Sequence, residues 1–236
     1  MKSRVLLASA AIAAGLFGSS PVTHAALLTY TSEAAFLAAT SNLAFESFES
    51  SAPQALDSGG GSAVVTSAFT VTPQGPATLG VQDGPDSPGS GFGSVATDGT
   101  HYLLSYLPNQ PTGTLRFDLS RPTTSFGLNL IDLGEADGTL SFVTDTGDAA
   151  GGITAFTFPP NFNNGNVLFF GFTQTDAFTQ VFLTVTGLDD AFGIDKVYMV
   201  AEPAGLALLL AGLAALAARS RRRVVAPGGQ RQENAE

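Results

Sequence analysis

The chemistry open to this chain is limited by what it lacks. There is no cysteine, which removes disulfides, thiolate metal sites and thiol nucleophiles together. Two histidines are present, His24 and His101. One histidine in the body of the chain cannot build a His-rich zinc centre. A Ser-His-Asp arrangement on His101 is formally possible, but "GTHYLLSY" has the character of a strand start. No G-x-S-x-G elbow occurs; Ser90 lies between Gly89 and Gly91 in a flexible stretch. Gly89, Gly91 and Gly93 imitate part of a dinucleotide fingerprint without its strand-turn-helix context. A carboxylate pair for glycoside hydrolysis depends on separation in space, which sequence does not supply. The chain is therefore expected not to be an enzyme.

Two kinds of binding chemistry are left. Calcium takes carboxylate and carbonyl oxygens, and no EF-hand loop is present. Scattered acids could still converge: Glu46 and Glu49 at the end of an early strand, and Asp195 in the last one. They are the candidate structural calcium ligands, and no other cofactor is expected. The second chemistry is sugar binding on an exposed sheet face, for which Tyr102, Tyr106 and Phe182 are the candidate aromatics.

Between residues 26 and 201 only Arg116, Arg121 and Lys196 are basic, against seventeen Asp and Glu, a net charge of −14. A nucleic-acid partner is excluded on that ground, because phosphates require a basic face. Such charge favours solubility and divalent cations.

The elements that must position these residues are strands. In "TLRFDLS", Leu115, Phe117 and Leu119 alternate with polar positions. "TSFGLNLID" and "TQVFLTVTG" alternate in the same way, the mark of a sheet with one face in a core. Further strands are expected at 43–48, 63–71, 101–107, 139–145, 153–158, 167–173 and 193–200. Turn signals such as "TDGTH", "EADGT" and "FNNGN" separate them. One short helix is expected from Ser32, with Ser32 as its N-cap. Residues 72–100, rich in Gly, Pro, Ser and Asp, are expected to form a long surface loop. The fold class that follows is all-β, an antiparallel sandwich of jelly-roll type over residues 26–200. Eighteen phenylalanines suit its core.

Both ends of the chain look like addresses. Lys2 and Arg4, an apolar run from Val5 to Phe17, and small residues before Ala25 and Ala26 form a signal peptide over 1–25, cut between those alanines. His24 leaves with it. At the other end, "AEPAGLALLLAGLAALAARSRRR" holds an uncharged stretch from Ala204 to Ala218, about 22 Å as a helix. That is short for a hydrocarbon core of about 30 Å. Arg219, Arg221, Arg222 and Arg223 place the basic side, and the tail 224–236, in the cytoplasm.

A signal peptide, a Gly-rich β domain, Glu202-Pro203, an apolar helix and an arginine cluster together resemble the PEP-CTERM proteins of Gram-negative bacteria. "TYTSEAAFLAATSNLAFESFES" and "FGIDKVYMV" are similar to the opening and closing segments of β domains found in that family. Ala201 stands where the family usually has its first proline. The resemblance implies a sorting signal over 201–223, recognised through Glu202, Pro203 and the four arginines by the membrane protease exosortase. It also implies an inner-membrane precursor with the β domain outside, and a mature protein at the cell surface or in an exopolysaccharide-containing biofilm matrix. The leading expectation is thus an exported, non-enzymatic surface or matrix protein, processed by signal peptidase and exosortase. The alternative is an exported carbohydrate-binding module, and the third reading a glycoside hydrolase-like enzyme.

Overall fold

The computed structural model describes residues 27–41, 43–54, 63–75, 77–84, 95–106, 112–133, 138–158, 165–187, 191–201 and 212. The signal peptide, the Glu202-Pro203 signal, the arginine cluster and nearly all of the apolar stretch lie outside them. Among the described residues no helix is long and apolar enough to cross a membrane.

Among the described residues eleven strands follow in chain order: β1 (Leu28–Tyr30), β2 (Leu43–Glu46), β3 (Val64–Val65), β4 (Phe69–Gln74), β5 (Thr78–Asp83), β6 (His101–Tyr106), β7 (Thr112–Ile131), β8 (Gly138–Thr144), β9 (Ile153–Phe158), β10 (Val167–Thr186) and β11 (Ala191–Ala201). The helix α1 (Glu33–Ala39) sits between β1 and β2. Its N-cap is Ser32, whose hydroxyl accepts from the Ala35 amide at 3.4 Å, as the sequence predicts.

All the pairings are antiparallel. Two strands, β7 and β10, are each twenty residues long and serve both layers of the fold. In the first layer the order is β3, β4, the early half of β7, the late half of β10, β8, β9. In the second layer it is β5, β6, β11, the late half of β7, the early half of β10, β1. Strand β2 pairs with β11 beyond the end of β6.

The core lies between the layers because the alternation holds along every long strand. Val71, Leu115, Phe117, Leu140, Phe142, Val181 and Leu183 meet Val81, Leu103, Phe126, Leu128, Phe170, Phe172 and Ile194, all buried. Phe142 links the layers through a stacked contact with Phe170 at 5.0 Å and a tilted one with Phe126 at 6.3 Å. Fully burying such a side chain contributes about 1.5–3 kcal/mol, so these rings dominate the cohesion of the fold.

Three sequence expectations change. The segments "TLRFDLS" and "TSFGLNLID" are one strand, β7, turned at Ser120-Arg121-Pro122; 167–173 and "TQVFLTVTG" are likewise one strand, β10. The expected strand over 63–71 is two, joined by a turn in which the Thr66 hydroxyl accepts from the Ala68 and Phe69 amides. The expected loop over 72–100 contains the end of β4 and the whole of β5, which pairs with β6 from Thr78↔Tyr106 to Asp83↔His101. A strand as short as "TLGVQD" between Pro- and Gly-rich flanks is selected by its partner and not by its own pattern.

Candidate functional site

The two layers present very different outer faces. That of the second layer is covered. Phe36 of α1 packs there against Phe169 and Tyr198, with ring centroids 5.5 and 6.3 Å away. Beside it the segment 95–101 lies over β11 and is held by acids. Alternation after the core residue Ile194 turns Asp195 outward beneath that segment, just before a register shift at which Lys196 has φ 48°. Asp195 is fully buried. Its Oδ2 accepts from the Thr97 amide (2.7 Å), the Thr97 hydroxyl (2.9 Å) and the Asp98 amide (2.9 Å), and its Oδ1 from the Lys196 amide (2.7 Å). Burial raises its carboxyl above the usual range, and these four donors oppose the rise. Glu49 accepts from the Thr100 and His101 amides at 2.8 and 2.6 Å. The His101 amide bond leads in holding its carboxyl below the usual range. Glu46, also buried, accepts from the Phe48 amide at 2.8 Å.

The three candidate calcium ligands therefore act on backbone amides. Among the described residues no three His, Asp or Glu side chains gather as a metal site. The oxygens of Asp195 in particular already have N–H and O–H donors where a cation would need lone pairs. Together these acceptors brace 97–101 to the sheet.

His101 belongs to that brace. Its Nδ1 lies 3.2 Å from the Phe48 carbonyl and its Nε2 3.7 Å from Asp83. Tyr102 is fully buried and cannot act as an exposed platform. It points to the expected side of β6, but Leu104, Ala191 and Ala96 close over it. Tyr106 packs at the margin of the same cluster and is half-buried. The expected exposure fails for Tyr102 because the covering segment, a tertiary fact, closes over it.

The outer face of the first layer has none of this cover among the described residues. Register sets its side chains in rows. The central row runs Thr72, Arg116, Phe182, Val143 across β4, β7, β10 and β8. On one side stand Thr70, Asp118 and Gln180. On the other stand Gln74, Thr114, Thr184, Ser141 and Thr154, then Thr112, Thr186, Thr139 and Thr157. The face is thus an array of hydroxyls and amides around one half-buried ring, Phe182.

Several of these groups are locked. Arg116 Nε donates to Asp118 Oδ2 at 2.9 Å, and Gln180 Nε2 to Asp118 Oδ1 at 2.9 Å. Thr114 and Thr184 share a hydroxyl contact at 3.0 Å, Thr139 and Thr186 one at 2.8 Å. At the end of β8, Asp145 accepts from the Thr179 amide and hydroxyl and the Gln180 amide, at 2.9, 2.6 and 3.1 Å. Burial acts to raise the Asp145 carboxyl, but those donors outweigh it and hold it below its usual value. Of the sequence candidates only Phe182 lies on this face. Arg116, Asp118, Gln180 and the threonines were the polar half of the alternation in "TLRFDLS" and "TQVFLTVTG"; their parity was the signal that would have found them.

Some solved structures have a similar trace. The C-terminal family 22 carbohydrate-binding module of Clostridium thermocellum Xyn10B is similar over 56% of this chain and 85% of its own, at 15% identity and a TM-score of 0.37. The family 11 carbohydrate-binding module from Clostridium thermocellum, solved with a β-1,3-1,4-mixed-linked tetrasaccharide, is similar over 58% and 91%, at 7% identity and a TM-score of 0.34. The K2 cleaved adhesin domain of Lys-gingipain is similar over 74% and 99%, at 13% identity and a TM-score of 0.34. TM-scores of this size do not establish a common fold. No protein-family model matches the chain, and no curated protein matches it.

Proposed function

We propose that this chain is an exported, non-enzymatic protein whose β domain binds polysaccharide on the outer face of the first layer. One observation carries the reading: half-buried Phe182 stands in a hydroxyl- and amide-rich face that no other described residue covers, beside the locked group Arg116–Asp118–Gln180. A pyranose has an apolar C–H face and a rim of hydroxyls. The first suits an aromatic ring and the second suits convergent donors and acceptors. Because Asp118 is already held on both oxygens, little ordering of those side chains is lost on binding.

Binding of the full-length chain to a panel of neutral polysaccharides, followed by affinity electrophoresis, tests this. Phe182→Ala is expected to weaken the best binder at least tenfold. Equal retardation of the variant and the parent by every polysaccharide would overturn the assignment of the site.

Export and sorting rest on the sequence of the two ends and on the PEP-CTERM resemblance. The expected product in the native host begins at Ala26 and ends near Pro203. Intact-mass measurement decides: a mass that keeps the arginine tail means a plain anchor and ends the sorting proposal.

A further inference from the structure

A second recess lies where β7 crosses from one layer to the other. Pairing of β7 with β4 ends at Leu119, and pairing with β11 begins at Thr123. Pro122 between them has no amide hydrogen to give to a neighbour. The corner leaves a cavity of about 420 Å³ whose exposed walls are Phe45, Ser67, Ser120 and Arg121 and whose buried floor is Thr123 and Met199. That volume falls in the range of small-molecule sites.

The lining is unusual for this chain in its charge. The other two cations of the described residues have acid partners: Arg116 with Asp118 at 2.9 Å, and Lys196 with Glu33 at 3.7 Å. Arg121 makes no ion pair or hydrogen bond among the described residues, although acids greatly outnumber bases in the domain. A guanidinium presents a rigid fork matched to a carboxylate. Opposite it, Phe45 is 47% exposed, a large apolar side chain left to water. It is not loose: its ring lies 5.1 Å from that of Tyr198 at 33°, and the Tyr198 hydroxyl donates to Glu33. The mouth is fixed as well, since the Ser120 amide donates to the Ala68 carbonyl at 2.9 Å.

We infer that this corner binds a sugar unit bearing a carboxylate, a uronate, with Arg121 taking the carboxylate, Phe45 the ring face, and the Ser67 and Ser120 hydroxyls the sugar hydroxyls. The net negative charge of the domain opposes an anion at long range. At about 0.15 M salt the Debye length is about 8 Å, so that repulsion is screened while the contact pair is not. The site is separate from the Phe182 face and stands whether or not that face binds neutral polysaccharide.

Calorimetric titration of the full-length chain at about 0.15 M salt with trigalacturonic acid and, in parallel, with neutral galactotriose tests the inference. The acid is expected to bind at least tenfold tighter. Arg121→Gln should remove most of that preference and Arg121→Lys should restore part of it. Phe45→Ala should weaken both sugars. Phe182→Ala should leave the uronate affinity unchanged. Both Arg121 and Phe45 are exposed, so the variants keep the fold. Absence of a preference for the acid, its survival in Arg121→Gln, or its loss in Phe182→Ala would each overturn the inference. Loss of neutral polysaccharide binding alone would count only against the Phe182 face.

Discussion

Asp195 shows how one side chain sets the character of a whole face. Four donors converge on a fully buried carboxylate, and three of them belong to the segment that closes over Tyr102. Truncation would leave those amides unpaired, and a buried orphan costs about 1–3 kcal/mol. Asp195→Ala is therefore expected to destabilise the fold by roughly 2–4 kcal/mol and to speed amide exchange at Thr97 and Asp98. Urea denaturation with hydrogen exchange checks both. Unchanged exchange at these two amides would mean that the segment is held by something else. The acid was visible in "FGIDKVYMV", but its job was not. Only the position of Thr97, ninety-eight residues away, shows it as an amide acceptor.

At the scale of elements, the docking of α1 depends on two glycines that face each other across β7 and β10, Gly127↔Gly171. A Cβ on Gly171 would sit 2.8 Å from Phe36 Cδ2, and one on Gly127 2.9 Å from Phe169 Cζ and 3.2 Å from Phe36 Cε1. The missing side chains make the seat for Phe36, the buried residue of a helix too short to persist alone. Gly171→Ala should cost about 1–3 kcal/mol through overpacking. In a Phe36→Ala background most of that cost should vanish, because the ring it collides with is gone. Additive losses in the double-mutant cycle would refute the seat. The helix itself was legible from its N-cap, Ser32. Its seat was not, since Gly171 lies more than 130 positions beyond Phe36 and a glycine in a strand has several possible meanings.

Across the whole molecule the acids pull in opposite directions with pH. Glu49 and Asp145 have carboxyls held below their unfolded values. Each contributes stability that is present above about pH 4 and is lost as pH falls through its folded pKa. Asp195 is raised, so its burial penalty is absent in acid and grows as pH rises through its folded value. Glu49 and Asp145 therefore lower stability on acidification below about pH 4, while Asp195 acts in the opposite direction. Chemical denaturation across that window should show it, and Asp145→Asn should flatten the acid limb. A curve of the same shape in that variant would remove Asp145 from the account. Despite that acidity Arg121 has no partner among the described residues, the fact on which the uronate site rests.

By itself the sequence determined the all-β class, the side of each long strand that meets the core and the N-cap of α1. These follow from local period and composition, which the chain carries in every window of a few residues. The signals expected at its two ends are read in the same local way, from residues outside the described ones. Tertiary structure alone decided that four expected strands are two bent ones, that "TLGVQD" is a strand, that Tyr102 is fully buried and Phe182 half-buried, and that Phe45 and Arg121 share a recess. Each of these is a meeting of segments distant in the chain. Long-range pairing depends on shape, register and the partners already in place, and none of those is written in a single stretch of residues.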